Sequence, residues 1–256
     1  MELTTLKSNI ISKFKGPDSE LNRILNSIEN DGAVFPFNEY ELLLTTLVSK
    51  EFLTYDQYME IRTDYISQNP NLWIFEISAP RAFGENFAQT YIQAKSTKLL
   101  RPSRKLDPKY ANQYDLWLDN IRIEVKASRV CDKDSDEPLY KKALSSNTKK
   151  SFLMNFQQLK PQCCDVFVWM AVYRDLITIW IMNSDEVFLH KDYSKGQHRG
   201  NAGNEGQLHI TEQNISTLNR YLLKNDDDIV VSIKESYGRI EKDVSRRKSL
   251  GLFVRE

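Results

Sequence analysis

Asp115, Glu124 and Lys126 have side chains that could act together in a chemical reaction, and their spacing could bring them together. If the two acids stand opposite each other on paired strands, their Cβ atoms are about 4.5–5.5 Å apart and their charges repel. A cation between them relieves that repulsion, and hard oxygen ligands of this kind suit Mg²⁺. Lys126 lies two residues beyond Glu124 and therefore on the same face of a strand. There it can meet a group held by the cation.

A hairpin is the element that would place the two acids opposite each other. Asp119 and Asn120 tolerate the positive φ angles of a two-residue type I′ turn, and this turn pairs Leu118 with Ile121. Strand alternation then divides the side chains between two faces. The predicted core face carries Leu116, Leu118, Ile121, Ile123 and Val125, and the opposite face carries Asp115, Trp117, Arg122, Glu124, Lys126 and Ser128. A longer turn would change this register, and a solvated hairpin with charges of both signs is the alternative interpretation.

Asp115, followed nine residues later by Glu124-Val125-Lys126, resembles the PD-(D/E)xK nuclease motif. Ser128-Arg129 is similar to a common continuation of the motif, and Tyr114 stands where the motif has proline. The resemblance implies hydrolysis of a DNA phosphodiester. It implies that Asp115 and Glu124 ligate Mg²⁺, with the Val125 carbonyl as a further ligand. Lys126 would orient or help to deprotonate the attacking water and steady the developing negative charge.

The resemblance covers residues 81–182 and implies two further contributions to the site. An upstream helix, which the apolar spacing predicts over residues 81–98, would supply another acid, and Glu85 is the candidate. A helix predicted over residues 151–160 would bring Gln157 or Gln158 near the site. For each of these residues, an exposed helical side chain is the alternative.

The pattern of elements predicts an α/β fold. It also predicts a helical N-terminal extension in residues 1–75. The resemblance implies that residues 76–256 form a restriction-endonuclease-like core, with a mixed central sheet flanked by helices. Within the extension, Thr54 is the expected N-cap of a helix. The unbroken apolar residues 166–173 predict a central strand that is covered on both faces. The chain after residue 207 is expected to return to helix.

Residues 195–207 form a loop that contains four of the nine glycines of the chain. Its polar side chains are types that pair with base edges, Arg with guanine and Asn or Gln with adenine. The candidates for recognition are Gln197, His198, Arg199, Asn201 and Asn204. Other candidates for contact with DNA are Arg101, Arg104, Lys105, Ser128, Arg129 and Gln158. A mobile surface loop and a solvated basic face are the alternatives.

The composition limits the other function classes. With 35 basic and 35 acidic residues, the 256-residue chain has no net charge, so any contact with DNA must use local basic patches. The longest apolar stretch has eight residues, which predicts no membrane span. The first residues do not resemble a secretory signal, and three cysteines favour a reducing, cytoplasmic setting. Phosphate-binding and dinucleotide-binding glycine motifs are absent, so no nucleotide cofactor is expected.

The sequence therefore predicts an Mg²⁺-dependent, sequence-specific endonuclease that acts on double-stranded DNA, most like a type II restriction enzyme. A double-strand cut at a palindromic sequence predicts a homodimer. A neighbouring DNA methyltransferase would support the restriction assignment. Two alternatives stay open: a structure-specific or repair nuclease of the same superfamily, and a DNA-binding protein on this scaffold that does not cleave.

Overall fold

The computed structural model describes residues 11–13, 17–23, 36–196, 205–224 and 228–252. The chain divides into two compact units. The first is formed by Met1–Glu76, Asp136–Thr148 and Tyr173–Leu176, and the second by Ile77–Ser135, Lys149–Val172 and Ile177–Glu256. In the described ranges, no helix is both long enough and apolar enough to cross a membrane.

The first unit contains helices α1 (Pro36–Ser49) and α2 (Tyr55–Gln68), followed by a 3₁₀ turn at Leu72–Glu76. Thr54 is the N-cap of α2, as predicted. Its side chain accepts a hydrogen bond from the Gln57 N–H at 3.2 Å, and the Gln57 side chain accepts one from the Thr54 N–H at 2.9 Å. This reciprocal pair satisfies backbone donors that the first turn of a helix leaves free.

The second unit contains all seven named strands. They are β1 (Leu116–Leu118), β2 (Ile121–Arg129), β3 (Leu153–Leu159), β4 (Val166–Val172), β5 (Ile177–Asn183), β6 (Tyr193–Lys195) and β7 (Gly206–Thr211). One sheet has the order β1-β2-β4-β5, in which β2 and β4 are parallel and the other pairs antiparallel. This is a mixed sheet, as predicted, and all seven residues of its inner strand β4 are buried.

Helices lie beside the mixed sheet. A π-helical segment, Ala82–Ala88, packs near β2 and continues into α3 (Gln89–Gln93). Helix α4 (Ser184–Phe188) follows β5 directly, and α5 (Ile229–Gly238) packs against β4 and β5. Helix α6 (Val244–Ser249) is the last helix of the described residues. The α/β class and the mixed sheet flanked by helices are thus confirmed.

The helix predicted over residues 151–160 is wrong, because this segment contains strand β3. Phe152, Met154 and Phe156 are buried in alternation with Leu153, which is 41% exposed, and this is the period of a strand. Strand β3 pairs with β7 in a second sheet of order β3-β7-β6. The apolar side chains face the first sheet, where the Phe156 ring meets the Trp169 ring edge-on at 4.9 Å.

Two further predicted boundaries are wrong. The helix expected over residues 81–98 ends at Gln93, five residues early. Strand β7 begins at Gly206, inside the predicted glycine loop, and runs into the part expected to be helical. This segment forms a strand because its backbone pairs with β3. The local sequence does not predict that pairing.

Candidate active site

The hairpin has the predicted turn and, from Leu116 to Ile123, the predicted register. Asp119 and Asn120 have φ angles of 46° and 68°, as a type I′ turn requires. Leu118 pairs with Ile121, and the ladder extends to the pair of Leu116 and Ile123. Asp115 precedes β1, and beyond Leu116 the predicted register is not kept, because the Asp115 N–H donates to the Ile123 carbonyl at 2.9 Å. Two residues, Asp115 and Leu116, therefore lie against Ile123, as at a β-bulge, and the prediction that Asp115 stands directly opposite Glu124 is wrong.

Tyr114, at the position where the resembled motif has proline, anchors the approach to β1. Its side chain is buried, and its hydroxyl donates to Asp107 Oδ2 at 3.0 Å. The same carboxylate oxygen accepts a hydrogen bond from Arg122 Nε at 3.0 Å. These contacts fix the loop before β1 to strand β2 and so hold Asp115 beside the strand that carries Glu124.

Asp115 is held by hydrogen bonds to both of its carboxylate oxygens. Oδ2 accepts from the Val125 N–H at 2.8 Å, and Oδ1 accepts from Gln89 Nε2 at 2.6 Å. Burial, and then the charge of Glu124, raise the pKa of Asp115 to about 7. The two acids therefore interact at a place where full ionisation of both is costly.

Lys126 lies on the same face as the acids, as predicted. Its Nζ is 2.7 Å from Glu124 Oε1, and the two side chains are only 19% and 16% exposed. In a partly buried position such an ion pair is little screened by solvent. The ammonium group thus balances one of the two carboxylates.

The Val125 carbonyl points toward the same edge of β2 as Asp115. The Ile123 carbonyl accepts from the Asp115 N–H on the β1 side, whereas the Arg122 carbonyl accepts from the Asp165 N–H on the β4 side. Carbonyl direction alternates along a strand, so that of Val125 also faces the β1 side. Three oxygen-bearing groups, from Asp115, Glu124 and Val125, therefore lie around one point of the hairpin.

A cleft of about 560 Å³ opens at these groups. Asp115, Glu124, Val125 and Lys126 line it, together with Glu85, Asn155, Gln157, Gln158 and Lys160. The structure thus brings together candidates that the sequence placed on three separate elements.

Glu85 lies in the π-helical segment at the edge of the cleft. Its carboxylate is paired with Arg81, with 2.8 Å between Arg81 Nε and Glu85 Oε2, and the side chain is 51% exposed. Within the described ranges, no three His, Cys, Asp or Glu side chains form a group that could hold a metal ion. Glu85 therefore lines the same cleft as Asp115 and Glu124 but does not form a three-acid metal-binding group with them.

Gln158 reaches the cleft from a strand and not from a helix. Its φ angle is 56°, and the pairing of β3 with β7 shifts between Phe156 and Leu159, as at a β-bulge. This irregularity changes the direction of the β3 backbone beside the cleft.

Arg101, Arg104 and Lys105 lie in the exposed loop after α3. Arg104 Nε donates to the Tyr110 carbonyl at 3.4 Å, and Lys105 is exposed. Ser128 and Arg129 lie at the end of β2, where the Arg129 guanidinium stacks on the Phe83 ring at 4.0 Å and donates to the Ile77 carbonyl. Burial lowers the pKa of Arg129. Through these contacts, Arg129 links the end of β2 to the helical segment that contains Phe83.

The glycine-loop candidates Gln197, His198, Arg199, Asn201 and Asn204 lie outside the described residues. Their assignment to DNA recognition stays a prediction.

Two residues at the site were not found by sequence reasoning. The first is Gln89, which donates a hydrogen bond to Asp115. Its position four residues after Glu85, on the same helix face, was a signal that could have identified it. The second is Lys160. Lys160 Nζ forms an ion pair with Glu205 Oε1 at 2.9 Å. That hydrogen bond raises the pKa of Lys160, and the charge of Glu124 contributes in the same direction.

Comparison with known proteins adds no family assignment. No protein-family model matches the chain, and no curated protein matches it at a significant level.

Proposed function

We propose that this protein is an Mg²⁺-dependent DNA endonuclease of the PD-(D/E)xK type, most like a type II restriction enzyme. The observation that carries the proposal is the set of Asp115, Glu124 and Lys126 on one hairpin face, at the wall of a cleft. The motif resemblance and the parallel pairing of β2 with β4 support it. The core differs from the expected arrangement because β3, and not a helix, lies between β2 and β4 in the chain.

The donor groups fit Mg²⁺. Lys126 balances the charge of only one of the two partly buried acids, and burial and the charge of Glu124 raise the pKa of Asp115, so a cation bound beside Asp115 would be stabilised. Two carboxylates and a backbone carbonyl are ligands that Mg²⁺ accepts. Asp115, Glu124 and the Val125 carbonyl would hold the ion. When bound, Mg²⁺ supplies Lewis-acid stabilisation of the negative charge that develops during phosphodiester hydrolysis.

The chain's own residues have separate tasks in this proposal. Lys126 orients the attacking water through its ammonium group and steadies the negative charge on the scissile phosphate. Lys160, beside the cleft, and Arg101, in the neighbouring loop, supply positive charge for the DNA backbone, whose binding depends on such neutralisation. Sequence recognition is assigned to Gln158 and to the loop of residues 195–207.

The proposal is tested by incubating supercoiled plasmid and genomic DNA with the full chain, in Mg²⁺ and in EDTA. We expect discrete fragments that need Mg²⁺. A smear or nicked circles would instead indicate a repair or nonspecific nuclease of the same superfamily. Binding without any cutting, at several Mg²⁺ concentrations, would contradict an endonuclease and favour the non-cleaving DNA-binding protein.

A further inference from the structure

Arg101, Gln89 and Asp115 form a chain of hydrogen bonds that ends at the candidate metal site. Arg101 Nη1 donates to Gln89 Oε1 at 2.5 Å, and Gln89 Nε2 donates to Asp115 Oδ1 at 2.6 Å. Arg101 Nε also donates to Gln93 Oε1 at 3.0 Å. Because Gln89 and Gln93 are four residues apart on one helix face, a single guanidinium can bind both amides.

The chemistry of these groups fixes the direction of the chain. A guanidinium has only donors, so the group of Gln89 that faces Arg101 must be its carbonyl oxygen. The NH₂ group of Gln89 is then turned toward Asp115. Without Arg101 the amide could rotate and turn its oxygen toward the carboxylate, where two acceptors would repel each other.

This arrangement favours Asp115 as a metal ligand. With Oδ1 bonded to Gln89 and Oδ2 bonded to the Val125 N–H, each oxygen keeps a further lone pair for a cation. Gln89 is neutral, so it steadies the carboxylate without taking the place of that cation. Arg101 acts on Asp115 through the amide of Gln89. Its guanidinium therefore does not take the place beside Glu124 where the cation would bind.

We propose that Gln89 and Arg101 are positioning residues that orient Asp115 for Mg²⁺, with Arg101 acting through Gln89. This inference rests on the proposed function, since it assigns a role toward the metal of the same site. Neither residue contacts the substrate in this role. Partners that orient metal ligands typically contribute about 10–100-fold to metal affinity.

The test is isothermal titration calorimetry of the metal-free full chain with Mg²⁺, in the absence of DNA. We expect Gln89→Leu to weaken Mg²⁺ binding by about 10-fold or more. Arg101→Met should weaken it by a smaller factor, and Arg101→Lys should restore part of the loss because lysine keeps a charged hydrogen-bond donor group. Arg101 is exposed, so we expect its variants to keep the fold, which circular dichroism checks.

The double variant Gln89→Leu/Arg101→Met separates a relay from two independent effects. If Arg101 acts through Gln89, the double variant binds Mg²⁺ no more weakly than Gln89→Leu alone. Losses that multiply would contradict the relay. Lys98→Met is the matched control, since it removes a positive charge from an exposed neighbouring residue and should leave the affinity unchanged.

Two failures can be told apart. If the wild-type chain binds Mg²⁺ and Gln89→Leu binds it equally well, the positioning role is wrong and the proposed function stands. If the wild-type chain neither binds Mg²⁺ nor cuts DNA, the proposed function is wrong, and the relay toward the metal is wrong with it.

Discussion

Lys126 places an ammonium group beside the acidic pair, where no other described lysine forms an ion pair with Glu124. We expect Lys126→Ala to slow DNA cleavage by about 100-fold or more, a typical loss for removing a group that assists proton transfer. DNA affinity should change little, because one phosphate contact at most is lost. Single-turnover cleavage measures the first effect, and fluorescence anisotropy with Ca²⁺ in place of Mg²⁺ measures the second.

Lys234→Ala is the control for this variant. Lys234 pairs with Asp119 at the tip of the same hairpin, at 2.6 Å, so its removal also breaks an ion pair of the hairpin. Cleavage by this variant should match that of the wild type. Comparable cleavage by Lys126→Ala and wild type would remove Lys126 from the mechanism.

The raised pKa of Asp115 makes the stability of the metal-free protein depend on pH. The folded state has a pKa of about 7 at this group, whereas an unfolded chain has one of about 3.9. Between these values the folded state holds the proton more tightly, so the free energy of unfolding falls as pH rises from about 4 to about 7. This contribution is at most about 4 kcal/mol. Urea unfolding in EDTA at pH 5, 6, 7 and 8 measures it.

Glu124→Gln provides the comparison. It removes the negative charge that helps to raise the pKa of Asp115, so the fall in stability between pH 5 and pH 8 should be smaller. The variant should lose Mg²⁺-dependent cleavage, yet without metal at pH 8 it should be no less stable than wild type. An unchanged pH dependence, or a clear loss of metal-free stability at pH 8, would contradict the repulsion between the two carboxyl groups.

At the scale of elements, the type I′ turn determines the register of the hairpin that carries the candidate site. Asn120→Gly should change the free energy of unfolding by only a few tenths of a kcal/mol, because glycine accepts a φ of 68° freely. Asn120→Val should cost about 1–2 kcal/mol, since a side chain branched at Cβ is strained in the left-handed region. Urea unfolding of both variants at one pH measures the difference. Equal stability of the two would argue against this turn.

At the scale of the whole molecule, the described part of the chain contains one hairpin of this kind, and under the proposed function one such site would cut one strand. A double-strand cut at a palindromic sequence therefore predicts two chains related by a two-fold axis on the DNA. Light scattering with a short duplex that contains the cleaved sequence measures the stoichiometry. A complex of one chain per duplex that cuts both strands would rule out the dimer.

The surface for such a dimer stays a prediction. Residues 1–75, which have no catalytic task in the proposal, are the first candidate, and residues 237–256 are the second. In the second segment, Arg247 is buried and donates to both carboxylate oxygens of Asp185, at 2.7 and 2.9 Å. This basic residue is therefore used inside the chain and does not provide a contact for a partner.

The sequence by itself determined the features that depend on neighbours along the chain. Asp119 and Asn120 set the turn, the turn set the register from Leu116 to Ile123, and strand alternation placed Glu124 and Lys126 on one face of β2. Thr54 could be predicted as an N-cap because capping depends on a local hydrogen bond. An unbroken apolar stretch likewise predicted the buried strand β4. Each of these follows from backbone preferences or burial within a few residues.

Only the tertiary structure decided the features that depend on distant partners. Residues 153–159 became a strand because β7, about 50 residues later, supplies hydrogen bonds that a short local pattern cannot foretell. Gln89 meets Asp115 across 26 residues, and Arg101 completes their link from a loop without regular structure. The sequence thus indicated which side chains could do the chemistry, whereas folding chose the groups that hold them, because such contacts depend on packing in space.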